Sequence, residues 1–550
     1  MKILVFMPKY GNGNEIDYAY IFPVGLAYIS ATLKSAGHTV TCINLNHHAG
    51  DTEQIVRAHL ATAPAYDMIC TGGLSSHYAQ MKRIVSGIRI SGANSIVVLG
   101  GGLVTSEPEL IFNALHPDFV VLGEGEETIK ELALALEQQR DTSAIAGIGY
   151  RGADGRFVKT VSRDPIMDLD AVPWPDFAGF EYNVWLDNLK PTNDALYDCY
   201  DFPRAYPIIS SRSCPCRCTF CFHPLGNKYR QRSIDSVIQE LEAIIPRFRI
   251  NIINIDDECF SHRIERIYEF CEKITVLSKK LSWDLKWICS MRVEGLSEDV
   301  LVTMKNAGCI GLGFGFESYS PIVLKSMKKH ITPDQIKRAV ELTLAHHIST
   351  FSFFIFGDRV ETVETMRQTL DFCRSIRCAN VDLLFVTPYP GTEIYNYCVE
   401  QGIIKNRLTY IEDGCGLPGK MAEHMSDDEY WESFVRIRDA RIRWSIRASP
   451  SSVCKDANGT YTLTVTCPHC GQKIKYANYP LPDSTLYSIW TNCRSCRRMF
   501  WMSSKKWLLL AKTVLVLFSI IPMRLKTQLF KHFSARHRAC FPAITKFLSA

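Results

Sequence analysis

The densest chemistry in this chain of 550 residues lies in the segment SRSCPCRCTFCFHP (211–224). Thiolates at Cys214, Cys218 and Cys221 can hold three irons of a 4Fe-4S cluster. The fourth iron then stays open for a small molecule to chelate, an arrangement that suits catalysis better than electron transfer. A structural zinc site is the competing reading, because zinc takes four ligands and Cys216 could supply one. The three-cysteine frame is complete without Cys216, which reads as a bystander. A second thiol constellation, CPHCG (467–471) with CRSC (493–496), forms two C-x2-C knuckles. Cys467, Cys470, Cys493 and Cys496 suit one tetrahedral ion, with four-thiolate zinc the default. A rubredoxin-like iron or an auxiliary cluster are the alternatives. The alternating run YTLTVTC before the first knuckle suits a small ribbon.

Such loops need strands to carry them. KILVFM (2–7), TVTCINL (39–45), MICTGG (68–73), SIVVLGGG (95–102) and FVVLGEGEET (119–128) alternate with helical patterns, as in an open parallel sheet. The helix expected over 23–37 has Pro at its start and Gly at its end. Residues 135–195 read as a connector with the Pro-rich stretch DLDAVPWPDF (168–177). From about 205 to 405 a second series offers six strands: YPIISS, INIINID, KWICSM, IGLGFGFES, FSFFIFG and VDLLFVTP. Six strand–helix units suggest an incomplete parallel barrel, and the cysteine loop follows its first strand, where barrel enzymes place chemistry. Residues 426–447 read as one amphipathic helix.

The C-x3-C-x2-C spacing, with aromatic Phe220 ahead of the last cysteine, resembles the radical SAM superfamily. DDECF (256–260), SMR (290–292), GFES (315–318), FIFGD (354–358) and TPYPGT (387–392) resemble its other stations, most closely those of the cobalamin-dependent branch. The resemblance implies that S-adenosylmethionine chelates the open iron and is cleaved by an electron from the cluster to a hydrogen-abstracting radical. Phe220, Arg292, Glu317 and Ser318 would then contact S-adenosylmethionine. Arg292 could fork onto its carboxylate; a barrel-interior salt bridge is the plainer reading of Glu317. Asp256 and Asp257 receive no definite role. GDRVET (357–362) departs from the family's Pro-Gly pattern in this loop.

The N-terminal region resembles the cobalamin-binding domain that precedes many radical SAM cores, through PVGLAYISATLKSAGHTV (23–40), GGLSS (72–76), LGGG (99–102) and GEGEET (123–128). The resemblance places cobalamin contacts at Gly73, Ser75, Gly100, Gly101, Gly102, Gly123, Glu124 and Gly125. NLNHHAG (44–50) offers His47 at the spacing of a cobalt-ligating motif, but Leu45 stands where that motif needs Asp. His47 therefore reads as an ordinary loop histidine.

The expected fold class is α/β. A Rossmann-like cobalamin-binding domain (1–140) and a connector (141–200) precede a partial (β/α)6 TIM-type radical SAM barrel (201–405). A helical segment (406–450), a four-cysteine zinc-ribbon-like module (451–505) and a hydrophobic, basic tail (506–550) follow. The expected cofactors are a 4Fe-4S cluster, S-adenosylmethionine, cobalamin and zinc. The expected reaction is methyl transfer to an unactivated carbon. Cyclisation, oxidation or rearrangement on the same scaffold is the main rival, and a non-catalytic metal-binding scaffold is a rival of another class. Only Cys42 and Cys70 lie in the first 140 residues, too few for the second cluster of a methylthiotransferase.

With 21 cysteines and no signal-peptide pattern at the start, a reducing cytoplasm is expected. The net charge of +5 is uneven: residues 501–550 hold nine Lys or Arg and no acid, leaving −4 on the rest. WLLLAKTVLVLFSIIPM (507–523) is short for a bilayer span. It reads equally as an anchor at the inner membrane face, drawn by anionic lipid, or as a helix packed on the barrel. Expected partners are a small-molecule or lipid-like substrate and an electron donor such as flavodoxin or ferredoxin, with no nucleic acid.

Overall fold

A computed structural model describes residues 1–192, 194–417, 419–481 and 485–528. The apolar runs at the start form β1 (Lys2–Met7), β2 (Thr39–Asn44), β3 (Met68–Gly72), β4 (Ile96–Gly100) and β5 (Phe119–Val121), all parallel. Their order is β2-β1-β3-β4-β5, so the order reverses between β1 and β3. Open sheets of this kind bind ligands beyond the strand C-termini at that reversal. The stretch read as a connector is partly sheet. β6 (Ile148–Arg151) and β7 (Phe157–Lys159) form a hairpin that extends the sheet antiparallel to seven strands. Both strands are short, four and three residues, which hid them from an apolar-run reading.

The barrel strands are β8 (Ala205–Ile208), β11 (Ile252–Ile255), β12 (Lys286–Ser290), β13 (Cys309–Glu317), β14 (Ser349–Phe356) and β15 (Val381–Phe385). They pair in parallel in sequence order, with β8 and β15 at the open edges. The small ribbon β9 (Ser211–Arg212) with β10 (Arg230–Gln231) brackets the cysteine loop. Register fixes what faces the lumen. Asn254 lies opposite Ile288, Ile288 opposite Gly311, and Gly313 opposite Phe351, so these positions share one face. A Cβ on Gly313 would fall 2.3 Å from the Phe351 ring and 2.8 Å from Ser290 Oγ. The alternate residues Leu312, Phe314 and Phe316 are buried on the other face against the helices. Continued past the strand ends, this alternation puts Asp256 and Arg292 at the C-terminal mouth of the lumen.

The C-terminal module contains β16 (Arg447–Ala448), β17 (Ser452–Lys455), β18 (Tyr461–Thr466), β19 (Lys473–Tyr479), β20 (Ser488–Asn492) and β21 (Met499–Ser503). Two three-stranded sheets result, β17-β18-β19 and β16-β21-β20, with their own small core that includes Leu463, Val465, Tyr476 and Phe500. The module docks on the N-terminal end of the barrel. Asp198, just ahead of β8, accepts from Asn492 N (2.6 Å), Asn492 Nδ2 (3.2 Å) and Thr491 Oγ1 (3.0 Å). Ser349 Oγ at the start of β14 donates to the Arg497 carbonyl, and Met499 N donates to the Cys378 carbonyl before β15. Leu196 plugs the lumen from this end: a Cβ on Gly311 would lie 2.1 Å from Leu196 Cδ1. The tail begins as a helix, Lys505–Ile520, which leaves Leu509, Leu510 and Ile520 exposed. Among the described residues no helix is long and apolar enough to cross a membrane. Residues 529–550, the end of the expected basic tail, lie outside the described residues.

Candidate active site

The cysteine loop leaves β9 at the C-terminal end of the barrel. Its foundation is Asp257, which follows β11 and is buried. Asp257 accepts from Ser210 N (2.6 Å), Ser210 Oγ (2.5 Å), Ser211 N (2.9 Å) and Ser211 Oγ (2.7 Å). One carboxylate thereby fixes the two residues from which the loop departs. Sequence reading left Asp257 without a role, because the Ser-Ser pair it serves lies 46 positions earlier. The far side of the loop is held by backbone: Thr219 N donates to the Met327 carbonyl (3.2 Å), and Ile394 N to the Thr219 carbonyl (3.0 Å).

Within the loop, the Cys218 and Cys221 thiols are hydrogen-bond partners, while Cys214 turns to the buried thiol of Cys259. The hydrogen bond from Cys221, aided by the Lys329 ammonium, brings Cys218 down to about 6 against the effect of burial. Cys221 is raised, chiefly by that same bond. The pair therefore gives up its first proton easily, as a metal-binding thiol pair must. Lys329 is the cation sequence reading missed; it sits in a plain basic turn, SMKKH, with no motif around it. Its Nζ donates to Glu317 Oε1 (2.9 Å) and lies 5.9 Å from the Phe220 ring centre. Glu317 thus makes the barrel-interior salt bridge of the plainer reading. Glu317 also sits at a β-bulge with φ +62°, a left-handed conformation that aims its side chain over Gly315.

Arg292 forks onto Glu294 and donates through Nη2 to the Lys329 carbonyl (3.1 Å). The structure thus gathers Cys218, Phe220, Cys221, Arg292, Glu317 and Lys329 at one end of the lumen. Ser318 is not among them: its Oγ meets Thr369 Oγ1 at 3.2 Å on the helix side of the sheet. Asp256 opens onto the mouth, where burial, and then the neighbouring Asp257, push it up to about 7. In the GDRVET loop, Glu361 is buried and accepts from Gly357 N at 2.5 Å, which closes the turn.

The glycine loops of the N-terminal sheet meet the same mouth. Their glycines are needed first by each other: a Cβ on Gly72 would lie 2.5 Å from the Gly100 carbonyl oxygen, and one on Gly101 2.8 Å from Gly73 N. Around these loops stand exposed apolar side chains, Tyr10 (57% exposed), Leu74 (51%) and Tyr389 (46%). Tyr10 packs edge-on to His77, and Ser75 bonds the Cys415 thiol. The loops thus present apolar side chains and polar backbone beyond the strand C-termini, at the point where the strand order reverses. Gly73, Ser75, Gly100, Gly101 and Gly102 lie along this crevice; Gly123 and Gly125 flank it on the β5 loop.

Glu124 is committed elsewhere. It is buried and accepts from Arg230 Nη1 at 2.7 Å through both oxygens, from Arg212 Nη1 (3.1 Å) and from Ile166 N (2.6 Å). With Glu126 on Arg212, this cluster welds the N-terminal sheet to the base of the cysteine loop. His47 is likewise engaged, with Tyr20 OH at 3.0 Å on one ring nitrogen and Glu181 at 3.2 Å on the other.

The ribbon site is of another kind. Among the described residues, Cys467, Cys470, Cys493 and Cys496 form the one group of three or more His, Cys, Asp or Glu with all ligand atoms within 4.8 Å. The Cys467–Cys496 and Cys470–Cys493 sulfurs stand 3.8 and 3.7 Å apart. A zinc–sulfur bond of about 2.3 Å gives a tetrahedral edge of about 3.8 Å. The fit to a single ion is therefore metric. Each knuckle also turns a backbone N–H onto sulfur, His469 N to Cys467 and Cys496 N to Cys493, both at 3.4 Å.

Comparison with known proteins adds independent findings. A family model described as the B12 binding domain matches residues 18–133, and one described as the radical SAM superfamily matches 208–373. An uncharacterised methyltransferase of Pyrococcus horikoshii is 29% identical, over 74% of this chain and 84% of its own. The anaerobic magnesium-protoporphyrin IX monomethyl ester cyclase of Rubrivivax gelatinosus is 28% identical, over 72% and 69%. Among solved structures, the radical S-adenosylmethionine methyltransferase TsrM of Kitasatospora setae superposes with a TM-score of 0.59 at 21% identity, covering 73% of this chain and 77% of that one. The cobalamin-dependent radical enzyme OxsB superposes with a TM-score of 0.55 at 18% identity, covering 98% and 70%. These two likenesses describe the fold.

Proposed function

From the premise that the chain belongs to the radical SAM enzymes with a B12-binding domain, we propose that it transfers a methyl group to an unactivated carbon of a small or lipid-like substrate. The observation that supports this reading is the junction: Glu124, in the loop after β5, pairs with Arg212 and Arg230, which flank the cysteine loop, so the glycine loops and the cysteine loop are held side by side. Cys214, Cys218 and Cys221 would hold the cluster, and the crevice would hold cobalamin through Gly73, Ser75, Gly100, Gly101, Gly102, Gly123 and Gly125. Glu124 would serve by fixing the domains. Bound there, the two groups would supply an electron for S-adenosylmethionine cleavage and a cobalt-borne methyl carrier. The chain's own part is positional. Lys329 holds Glu317 over Gly315, and Glu294 steers Arg292, so that a carboxylate and a guanidinium would be available to S-adenosylmethionine, the guanidinium for its carboxylate. Phe220 offers an apolar wall beside the cluster. An external flavodoxin- or ferredoxin-like donor would supply the electron.

Co-products test the reaction. Reduced, reconstituted protein given S-adenosylmethionine and an extract containing substrate should form both 5′-deoxyadenosine and S-adenosylhomocysteine. 5′-Deoxyadenosine without S-adenosylhomocysteine would move the reading to cyclisation or rearrangement, which the Rubrivivax relative favours. Neither product would leave a metal-binding scaffold. The exposed Leu509 and Leu510 beside Lys505, Lys506 and Lys512 support a further contact with an anionic lipid surface. Full-length protein should then sediment with phosphatidylglycerol vesicles and not with phosphatidylcholine ones. Equal sedimentation would remove this part of the proposal. The four ribbon thiols would hold structural zinc.

A further inference from the structure

The residue directly after the last cysteine of the loop reaches across the domain boundary. A Cβ on Gly102, in the loop after β4, would lie 2.6 Å from Phe222 Cε1 and 2.9 Å from Leu74 Cδ2. A Cβ on Gly391, in the loop after β15, would lie 3.0 Å from Phe222 Cε2. The Phe222 ring is therefore wedged between the glycine crevice and the barrel mouth, one peptide bond from Cys221. Opposite edges of the ring, Cε1 and Cε2, face the two glycines, and the Leu74 and Ser106 side chains stand beside those same positions. Neither glycine leaves room for a side chain beside the ring, and a Cβ on Gly101 would in turn lie 2.8 Å from Gly73 N, so the loop behind Gly102 is closely packed.

We propose that Phe222 is a positioning residue that couples the cysteine loop to the cofactor crevice, so that occupancy of one site raises the affinity of the other. The inference rests on the reading that the crevice takes cobalamin. Its physical basis is rigidity: iron ligation at Cys221 fixes the loop, the loop fixes the ring, and the ring fixes the Gly100–Gly102 backbone. A crevice already ordered binds its ligand without the cost of ordering it. Coupling of this kind is reciprocal.

The experiment measures hydroxocobalamin affinity of the full chain by equilibrium dialysis, with iron loaded and with iron removed. Wild-type protein should bind at least about fivefold more tightly when loaded, the low end of ordinary coupling. Phe222→Ala should keep its iron content and lose the difference. Gly102→Ala, which drives a methyl group into the ring, should reduce the ratio of loaded to unloaded affinity in the wild-type background. A fivefold difference that survives Phe222→Ala, or equal affinity in the two wild-type states, overturns the proposal. A wild-type chain that binds no cobalamin in either state overturns instead the function on which it rests. Should Phe222→Ala fold poorly, Phe222→Leu keeps the apolar volume but not the flat ring, and should show a reduced difference; full coupling in Phe222→Leu would also overturn it.

Discussion

The two ends of the barrel carry the chain's two thiol sites, finished in opposite ways. At the N-terminal end the ribbon sulfurs already stand at a tetrahedral edge, 3.7 and 3.8 Å apart, and Leu196 closes the lumen behind them. At the C-terminal end the three loop cysteines are not gathered to within 4.8 Å. Cys214 leans to Cys259, and Cys218 pairs with Cys221 beside Lys329. A single ion needs its ligands convergent, whereas a cluster's ligands bind different irons and stand apart. The difference teaches that abundance of cysteine says little about role. The closed end is a floor; the open end is where the charges of Lys329, Glu317 and Arg292, the Asp256 carboxylate and the N-terminal glycine loops converge.

Exchange of the two sites gives the largest contrast. Cys218→Ser should remove iron and cut 5′-deoxyadenosine formation by at least about a thousandfold, an effect of about 4 kcal/mol on the barrier, while ribbon metal stays. Cys467→Ser should remove ribbon metal and leave iron. Metal analysis with product chromatography reads both, and loss of iron in the ribbon variant would break the division. Chelation of the ribbon metal comes next. Structural zinc contributes folding energy outright, so calorimetry should show the C-terminal module melting first, with reductive cleavage surviving at lower temperature. Cleavage lost in step with zinc would mean the floor takes part in the chemistry.

Each end also rests on one buried aspartate. Asp257→Ala removes four hydrogen bonds at Ser210 and Ser211, and Asp198→Ala removes three at Thr491 and Asn492. Both should cost about 2–3 kcal/mol in denaturant unfolding, since buried donors are left unpaired. Only Asp257→Ala should also lower iron loading; equal loading in the two variants would count against Asp257 as the foundation of the loop. The smallest effect separates the two knuckles. Gly471 (φ +74°) and Arg497 (φ +60°) occupy matching left-handed turns. Gly471→Ala should cost about 1 kcal/mol and Arg497→Gly should gain about as much, read as shifts in the ribbon's melting.

Much of this was legible beforehand, for identifiable reasons. The five parallel strands of the first sheet and the six of the barrel are apolar runs separated by helical periods. The β6–β7 hairpin escaped because short, half-exposed strands leave no such run. Cys214, Cys218 and Cys221, and the four ribbon cysteines, stand out as candidates in the sequence because metal ligation is signalled by residue type and local spacing. Lys329, Asp257 and Phe222 could not, since each acts on a partner brought near by the fold. Glu124 illustrates the converse: its motif suggested a ligand contact, but its side chain is engaged by Arg212 and Arg230.

The sequence by itself determined which atoms could bind metal and in what order the strands would come, because ligand spacing and hydrophobic period are local properties of a chain. Only the tertiary structure decided that the ribbon floors the barrel, that the glycine crevice and the cysteine loop share one mouth, and which charges pair there. Those facts depend on register and on inter-domain docking, where partners distant in sequence, such as Glu124 and Arg230, are brought together.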